Sequence, residues 1–371
     1  MTRITKAVPF FPKMKTDMKY VIVAAISLFP LAFNAPAANT NTSLGAPPAL
    51  SDYAVLERGP HTRLWQRVIR ETNDTIGVVA VTNFYTEIAS GLHSWDPAAK
   101  RWADSNPDFQ IGADGFAVAS NCQHKVVLNP NINDPKGAVE LLTPDGQRLL
   151  SSIIGLNLFD PTTGKSVQIA ALQDSVGLQT APNEIVWFNA FQGFNADVRI
   201  RNESGQFHQD VLLQEKLAPE MLEKLGFDPD TVQLEAWTEF LDAPNPTVQP
   251  VGIKGGSTDD QIEFGTMKFG RGATFLDTEP SQSIHVLKQW QEIGGKKYLV
   301  ESLNYGHLQP LMQSLPVRTA SLKIRQSSSR QLASRSPPQR TEPSKESRRH
   351  FAAMLRLPKG RTSTREPQLF S

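Results

Sequence analysis

Between about Ile76 and Leu303 the chain reads as strand and turn almost without interruption, and this constrains its fold more than any other feature. Val198 and Ile200 alternate with Asp197, Arg199 and Arg201, while Val232, Leu234, Ala236 and Phe240 alternate with Gln233, Glu235, Trp237 and Glu239. Val167, Ile169 and Ala171 likewise oppose Ser166, Gln168 and Ala170. Successive strand side chains point to opposite faces, so a period of two predicts antiparallel strands with one face on a core and one toward water.

Turn chemistry punctuates the pattern at the roughly 8–12-residue spacing of sandwiches and barrels. Thr143-Pro144-Asp145-Gly146 combines a pre-set φ with a glycine suited to positive φ, and Asp160-Pro161-Thr162-Thr163-Gly164 is a longer version. Glu203-Ser204-Gly205-Gln206 and Gly294-Gly295 are expected to close two hairpins. Helix is confined to Pro219–Leu225, with proline at its first turn and Gly226 as terminator, and to a last turn or two within His307–Leu315. The expected fold is mainly β: an antiparallel β-sandwich, or two sandwich-like halves meeting near residues 218–230, with one or two short helices.

The net charge of +1 over 371 residues conceals three unlike segments. Residues 1–37 carry Arg3, Lys6, Lys13, Lys15 and Lys19 against Asp17, a balance of +4. Residues 317–371 hold 13 Lys/Arg and 3 Glu, a balance of +10, which leaves −13 for residues 38–316. The front segment has the order of a signal peptide: lysines, a 14-residue apolar run from Tyr20 to Phe33, then Ala35-Pro36-Ala37 as a cleavage signal. That run is shorter than the roughly 20 residues a spanning helix needs, and Pro30 interrupts it, so an uncleaved membrane anchor is the weaker alternative. Export to the periplasm, cell surface or extracellular space is the expectation, with no membrane span after cleavage. Residues 38–50 read as a flexible linker and 51–316 as the β-rich domain. Residues 317–371, rich in Arg, Ser and Pro, read as a basic disordered tail, genuine or produced by a shifted reading frame. Nucleic-acid binding by this tail is not expected, because it lacks interleaved aromatics. Cys122 is the sole cysteine, so no intrachain disulfide forms, and it is expected to pack as a small apolar residue.

Several phrases, YTEIASGLHSWDP (85–97), GAVELLTPDGQRLLSSIIGLNLFDPTTGKSVQIA (137–170), FNADVRIRNESGQFHQDVLLQEKL (194–217) and KYLVESL (297–303), resemble together an uncharacterised β-rich region. That region lies near the N-terminus of large exported proteins of verrucomicrobial and planctomycete-like bacteria. With GTMKFGRGATFLD (265–277) and WQEIGGKKYLVE (290–301), the resemblance covers residues 75–316 or so. It implies an exported β domain and carries no activity or catalytic residue.

Catalytic motifs are absent from the sequence: there is no G-x-S-x-G, P-loop, G-x-G-x-x-G or HExxH, and the seven histidines are scattered. Calcium is the only cofactor left open, through Asp96, Asp104 and Asp108 or Asp259-Asp260; no D-x-D-x-D-G loop is present, and capping of turns is the better account of these acids. Glu235 and Glu239 flank Trp237 on one strand face, each one same-face step of about 7 Å from it by strand geometry, and are the candidate carboxylates for glycoside hydrolysis over a tryptophan platform. The competing expectation is a packed Trp237 with solvated acids. Trp95 and Trp102 bracket the turn sequence DPAAKR, and two aromatics on a β edge beside Asp96 and Asp104 suit sugar stacking; a pair closing the core is the alternative. The leading expectation is an exported, non-catalytic module for adhesion, assembly or glycan contact, whose partner is a surface or extracellular protein or polysaccharide. A carbohydrate-active hydrolase or lyase on a β-sandwich is the alternative.

Overall fold

The computed structural model describes residues 21–30, 53–73, 77–253, 257–277, 279–318 and 337–342. The expected linker at 38–50, the flanks of the expected signal peptide (1–20 and 31–37) and most of the expected tail (319–336 and 343–371) lie outside the described residues.

Strand β1 (Val21–Pro30) comes first, from the apolar run of the expected leader. Strands β2 (Ala54–Arg58), β3 (Thr62–Asn73) and β4 (Gly77–Ile88) form a separate three-stranded antiparallel sheet. A two-stranded hairpin follows, β5 (His93–Asp96) and β6 (Arg101–Asp104).

The main body is one continuous antiparallel system. Its first half contains β7 (Gln110–Ile111), β8 (Ala117–Ala119), β9 (Lys125–Leu128), β10 (Val139–Leu142), β11 (Arg148–Phe159) and β12 (Ser166–Leu172). Next come β13 (Gly177–Ala181), β14 (Glu184–Trp187), β15 (Phe191–Gln192), β16 (Ala196–Glu203) and β17 (Gln206–Leu213). Helix α1 (Pro219–Lys224) leads to β18 (Gln233–Asp242), β19 (Thr247–Gly252), β20 (Thr258–Phe264) and β21 (Met267–Phe269). Strands β22 (Gly272–Leu276), β23 (Glu279–Ile293) and β24 (Lys296–Asn304) and helix α2 (Tyr305–Leu308) complete it.

The mainly β, antiparallel character with two short helices is as the alternation foretold. Gly146 (φ 85°) and Gly164 (φ 71°) take the left-handed conformations their turns require, and Gly294 and Gly295 (φ 60° and 77°) join β23 to β24. Helix α1 ends where expected, with the Gly226 N–H bonded to Glu223 O and the Phe227 N–H to Leu222 O. The terminal helix starts two residues before the expected span because Asn304 caps it, its Oδ1 accepting from the His307 N–H at 3.1 Å.

The larger apolar core runs through both sides of α1. Strand β11 pairs along most of its length with β18, and Leu156, Val198, Leu213, Leu234, Phe264 and Leu299 belong to the same buried cluster. Gln209 Nε2 donates to Thr238 Oγ1 at 3.1 Å, joining β17 to β18 within the buried interior. Tyr305 extends its hydroxyl to the Leu217 N–H at 2.8 Å, which pins α2 to the segment entering α1.

The polar faces expected on β16 and β18 are interiors as well. Asp197 and Glu235 have no exposed surface, and Arg199, read from the sequence as solvent-facing, is 6 % exposed. The alternation is correct, but both sides of these strands are covered. On β18 the second face meets Ile154, Tyr298 and Val300 in a smaller core around Trp237. Residues 337–342 pack nearby: Pro338 is buried and close enough to Gly155 that a Cβ there would sit 2.8 Å from its ring. The Thr341 N–H donates to Leu172 O at 3.0 Å, and Arg340 Nη1 to Asp134 O at 3.1 Å. This piece of the expected tail is therefore built into the fold.

Candidate functional site

The β5–β6 hairpin is short, and its geometry follows from its turn. Asp96 Oδ1 accepts from the N–H groups of Ala98 and Ala99 at 2.9 and 3.0 Å, while Lys100 takes a positive φ of 49° to complete the reversal. This register sets Trp95 directly opposite Trp102. Their rings meet edge to face, with centroids 5.4 Å apart and planes at 71°. Trp95 is 51 % exposed and Trp102 half-buried, so one ring offers a face while the other braces it.

The hairpin is anchored from below by a polar group that the sequence did not signal. His93 is fully buried; its Nδ1 lies 2.7 Å from Gly59 O and donates there, leaving Nε2 to accept from Arg63 Nε at 3.2 Å. Arg63 also donates to Asp104 and reaches Glu87 at 3.3 Å, so one guanidinium ties the hairpin to β3 and β4. Gln123 Nε2 bonds both Pro60 O and His93 O, at 2.6 and 2.9 Å, drawing in the loop before β9.

Between the hairpin and that loop lies an open cleft of about 880 Å³, lined by Trp95, Trp102, Asp104, Asn106, Asn121 and Gln123 among others. Asp104 remains largely exposed despite its cationic partners. The cleft thus sets an aromatic edge beside carboxylate, amide and backbone groups, the composition that suits a polyhydroxylated ligand. Cys122 also borders it, but burial pushes its thiol up to about 11, and a thiol at that value supplies little thiolate.

The other sequence-derived site has a different fate. Trp237 and Glu235 are both fully buried, with Trp237 Nε1 donating to Glu235 Oε2 at 2.8 Å. Trp237 packs edge-on to Tyr298 at 5.6 Å. A ring with no exposed face offers nothing for a sugar to stack on, so the solvent-facing platform expected from the alternation is corrected to an interior one. Glu239 pairs with Lys296 Nζ at 2.9 Å on the same face. Of the acids considered for calcium, Asp96 and Asp260 accept backbone N–H groups, from Ala98 and Ala99 and from Trp290. Asp259 receives Lys288 Nζ on both oxygens, at 3.0 and 2.9 Å, together with the Lys288 N–H. Among the described residues no group of three His, Cys, Asp or Glu is placed to hold a metal ion.

Two buried charge clusters escaped the sequence reading. Arg199 on β16 faces Asp210 on β17 at 2.9 Å, with Asp277 at 3.2 Å. Burial raises the Asp210 carboxyl, and Arg199 opposes the rise. Lys288 on β23 is 3 % exposed and stands opposite Glu301 of β24. Burial pushes the Glu301 carboxyl up to about 8 against the pull of Lys288. The acids and bases were visible as alternate residues on single strands; the pairings depend on register between strands and were not.

Comparison with family models, with curated proteins and with solved structures finds no match to any of them.

Proposed function

We propose that this chain is an exported, non-catalytic β module that contacts glycan on a cell surface or in the extracellular space. The observation that supports this reading is the Trp95–Trp102 edge, held by a braced hairpin beside a cleft furnished with Asp104, Asn106, Asn121 and Gln123. Stacking on an apolar sugar face contributes through the exposed ring of Trp95, and the polar rim supplies orientation through hydroxyl hydrogen bonds. The basic-then-apolar leader supports export. No helix among the described residues is long and apolar enough to cross a membrane.

The test is retention of the full chain on a panel of soluble and insoluble polysaccharides, with release of reducing ends measured in the same samples. Retention without release is the expected result. Trp95→Ala should weaken retention at least tenfold, and Trp102→Ala should do so by loosening the Trp95 ring that it braces. Retention unchanged in both variants refutes the site, and release of reducing ends refutes the non-catalytic reading.

A further inference from the structure

Strand β1 occupies an unusual place for the earliest described segment of a chain. It lies between strands that follow it by nearly the length of the domain. On one side Val21–Val23 stand opposite Val211–Leu213 of β17, and Ile26–Leu28 opposite Phe207–Gln209, with a bulge between. On the other side Leu28–Pro30 face Met267–Phe269 of β21, and Val21 and Ile22 face Leu276 and Phe275 of β22. β17 has β16 as its other neighbour, β21 has β20 and β22 has β23. Without β1, two inward edges of the main sheet would face one another across a strand-wide gap. Phe207, Val211, Leu213, Met267 and Phe269, all buried core residues, lie along its walls.

Unpaired edges of this kind are templates for another strand, because their N–H and C=O groups lack partners. The ten residues that fill the gap carry no charge and are mostly Val, Ile, Ala, Leu and Phe. Those same residues form the apolar centre of the expected leader, and cleavage after Ala37 would remove them.

We propose that the gap between β17 and the β21–β22 edge is a strand-acceptor site. After leader removal it takes an extended, uncharged, apolar segment of about ten residues from an assembly partner, by antiparallel strand addition. Main-chain hydrogen bonds on both sides supply affinity, and the bulge in the β17 register together with alternate side-chain positions supplies selectivity. The partner is a different protein, since processing at Ala37 strips this segment from every copy. The inference rests on the exported reading above and adds a protein partner to it.

The experiment uses the full chain with a site-specific protease sequence inserted after Ala37. The cut protein is then challenged with a fluorescent peptide of residues 19–30. Saturable uptake at one peptide per chain, with release of the cut leader, is expected. A peptide carrying Ile22→Pro and Ile26→Pro should bind at least tenfold more weakly, because proline removes donors and fixes φ. Absence of uptake by a chain that has shed its leader and kept its circular dichroism overturns the proposal. So does a cut leader that excess peptide never displaces, which would make β1 a permanent seam. Loss of fold after cutting supports the proposal if the peptide prevents it and overturns it if the peptide does not. N-terminal sequencing of the exported chain reads the export premise separately: a mature terminus upstream of Val21 sinks that premise while the peptide assay still reports on the slot.

Discussion

Glu301 shows how a single residue couples the fold to pH. It is buried, and that burial raises its carboxyl from 4.5 to about 8. Between those values the folded chain holds a proton that the unfolded chain has released. Stability from this group is therefore present in full below about pH 4.5 and declines as pH rises toward 8, by up to about 1.4 kcal/mol per unit. Glu301→Gln keeps the shape and removes the linkage. Urea unfolding from pH 5 to 9 should show a flatter profile for Glu301→Gln, with the variant more stable than the parent at pH 8. Parallel profiles would refute the burial account. The residue was legible only as one polar position on a strand; its depth depends on Lys288 standing opposite it. Trp95 and Trp102 were better signalled, because the turn between them is local and fixes their opposition without help from distant chain.

At the scale of elements, the β5–β6 hairpin owes its shape to Asp96, whose carboxylate holds two consecutive N–H groups of the turn. Asp96→Ala should cost about 1 kcal/mol of local order, since both N–H groups can return to water. Its larger effect should fall on glycan retention, because the two rings lose their fixed spacing. Unchanged retention with a lowered melting temperature would show that ring spacing does not matter. Strands β16 and β18 mark the limit of reading elements one at a time. Their period of two was visible in Val198, Ile200, Leu234 and Ala236, and each lies in the core as that period requires. That the opposite faces are covered too was not visible. For β18 the cover comes from β11 and β24 and from residues near position 338, a hundred residues downstream. Periodicity reports which residues share a face; it is silent on how many faces are dry.

Across the whole molecule, one core spans both sides of α1, and the sub-boundary expected near residues 218–230 is crossed by the β11–β18 ladder. The short stretch at 337–342 adds a buried proline and bonds to Gln168, Leu172 and Asp134. Ending the chain after Arg318 should therefore lower the melting temperature, by roughly 2–4 °C for each kcal/mol of lost packing in a domain this large. An unchanged melting temperature would show that these contacts contribute nothing. The basic composition that suggested disorder described the segment's average, whereas its described residues, 317–318 and 337–342, bond to the domain.

The position of β1 also sets a clock. Ribosomal synthesis delivers residues 21–30 well before their neighbours in β17 and β22, which emerge some 180 to 250 residues later. At 5–20 residues per second, that is a wait of about 10–50 s during which the apolar run has no place in a sheet. Any factor that captures nascent apolar segments has first claim on it, before the rest of the protein can compete.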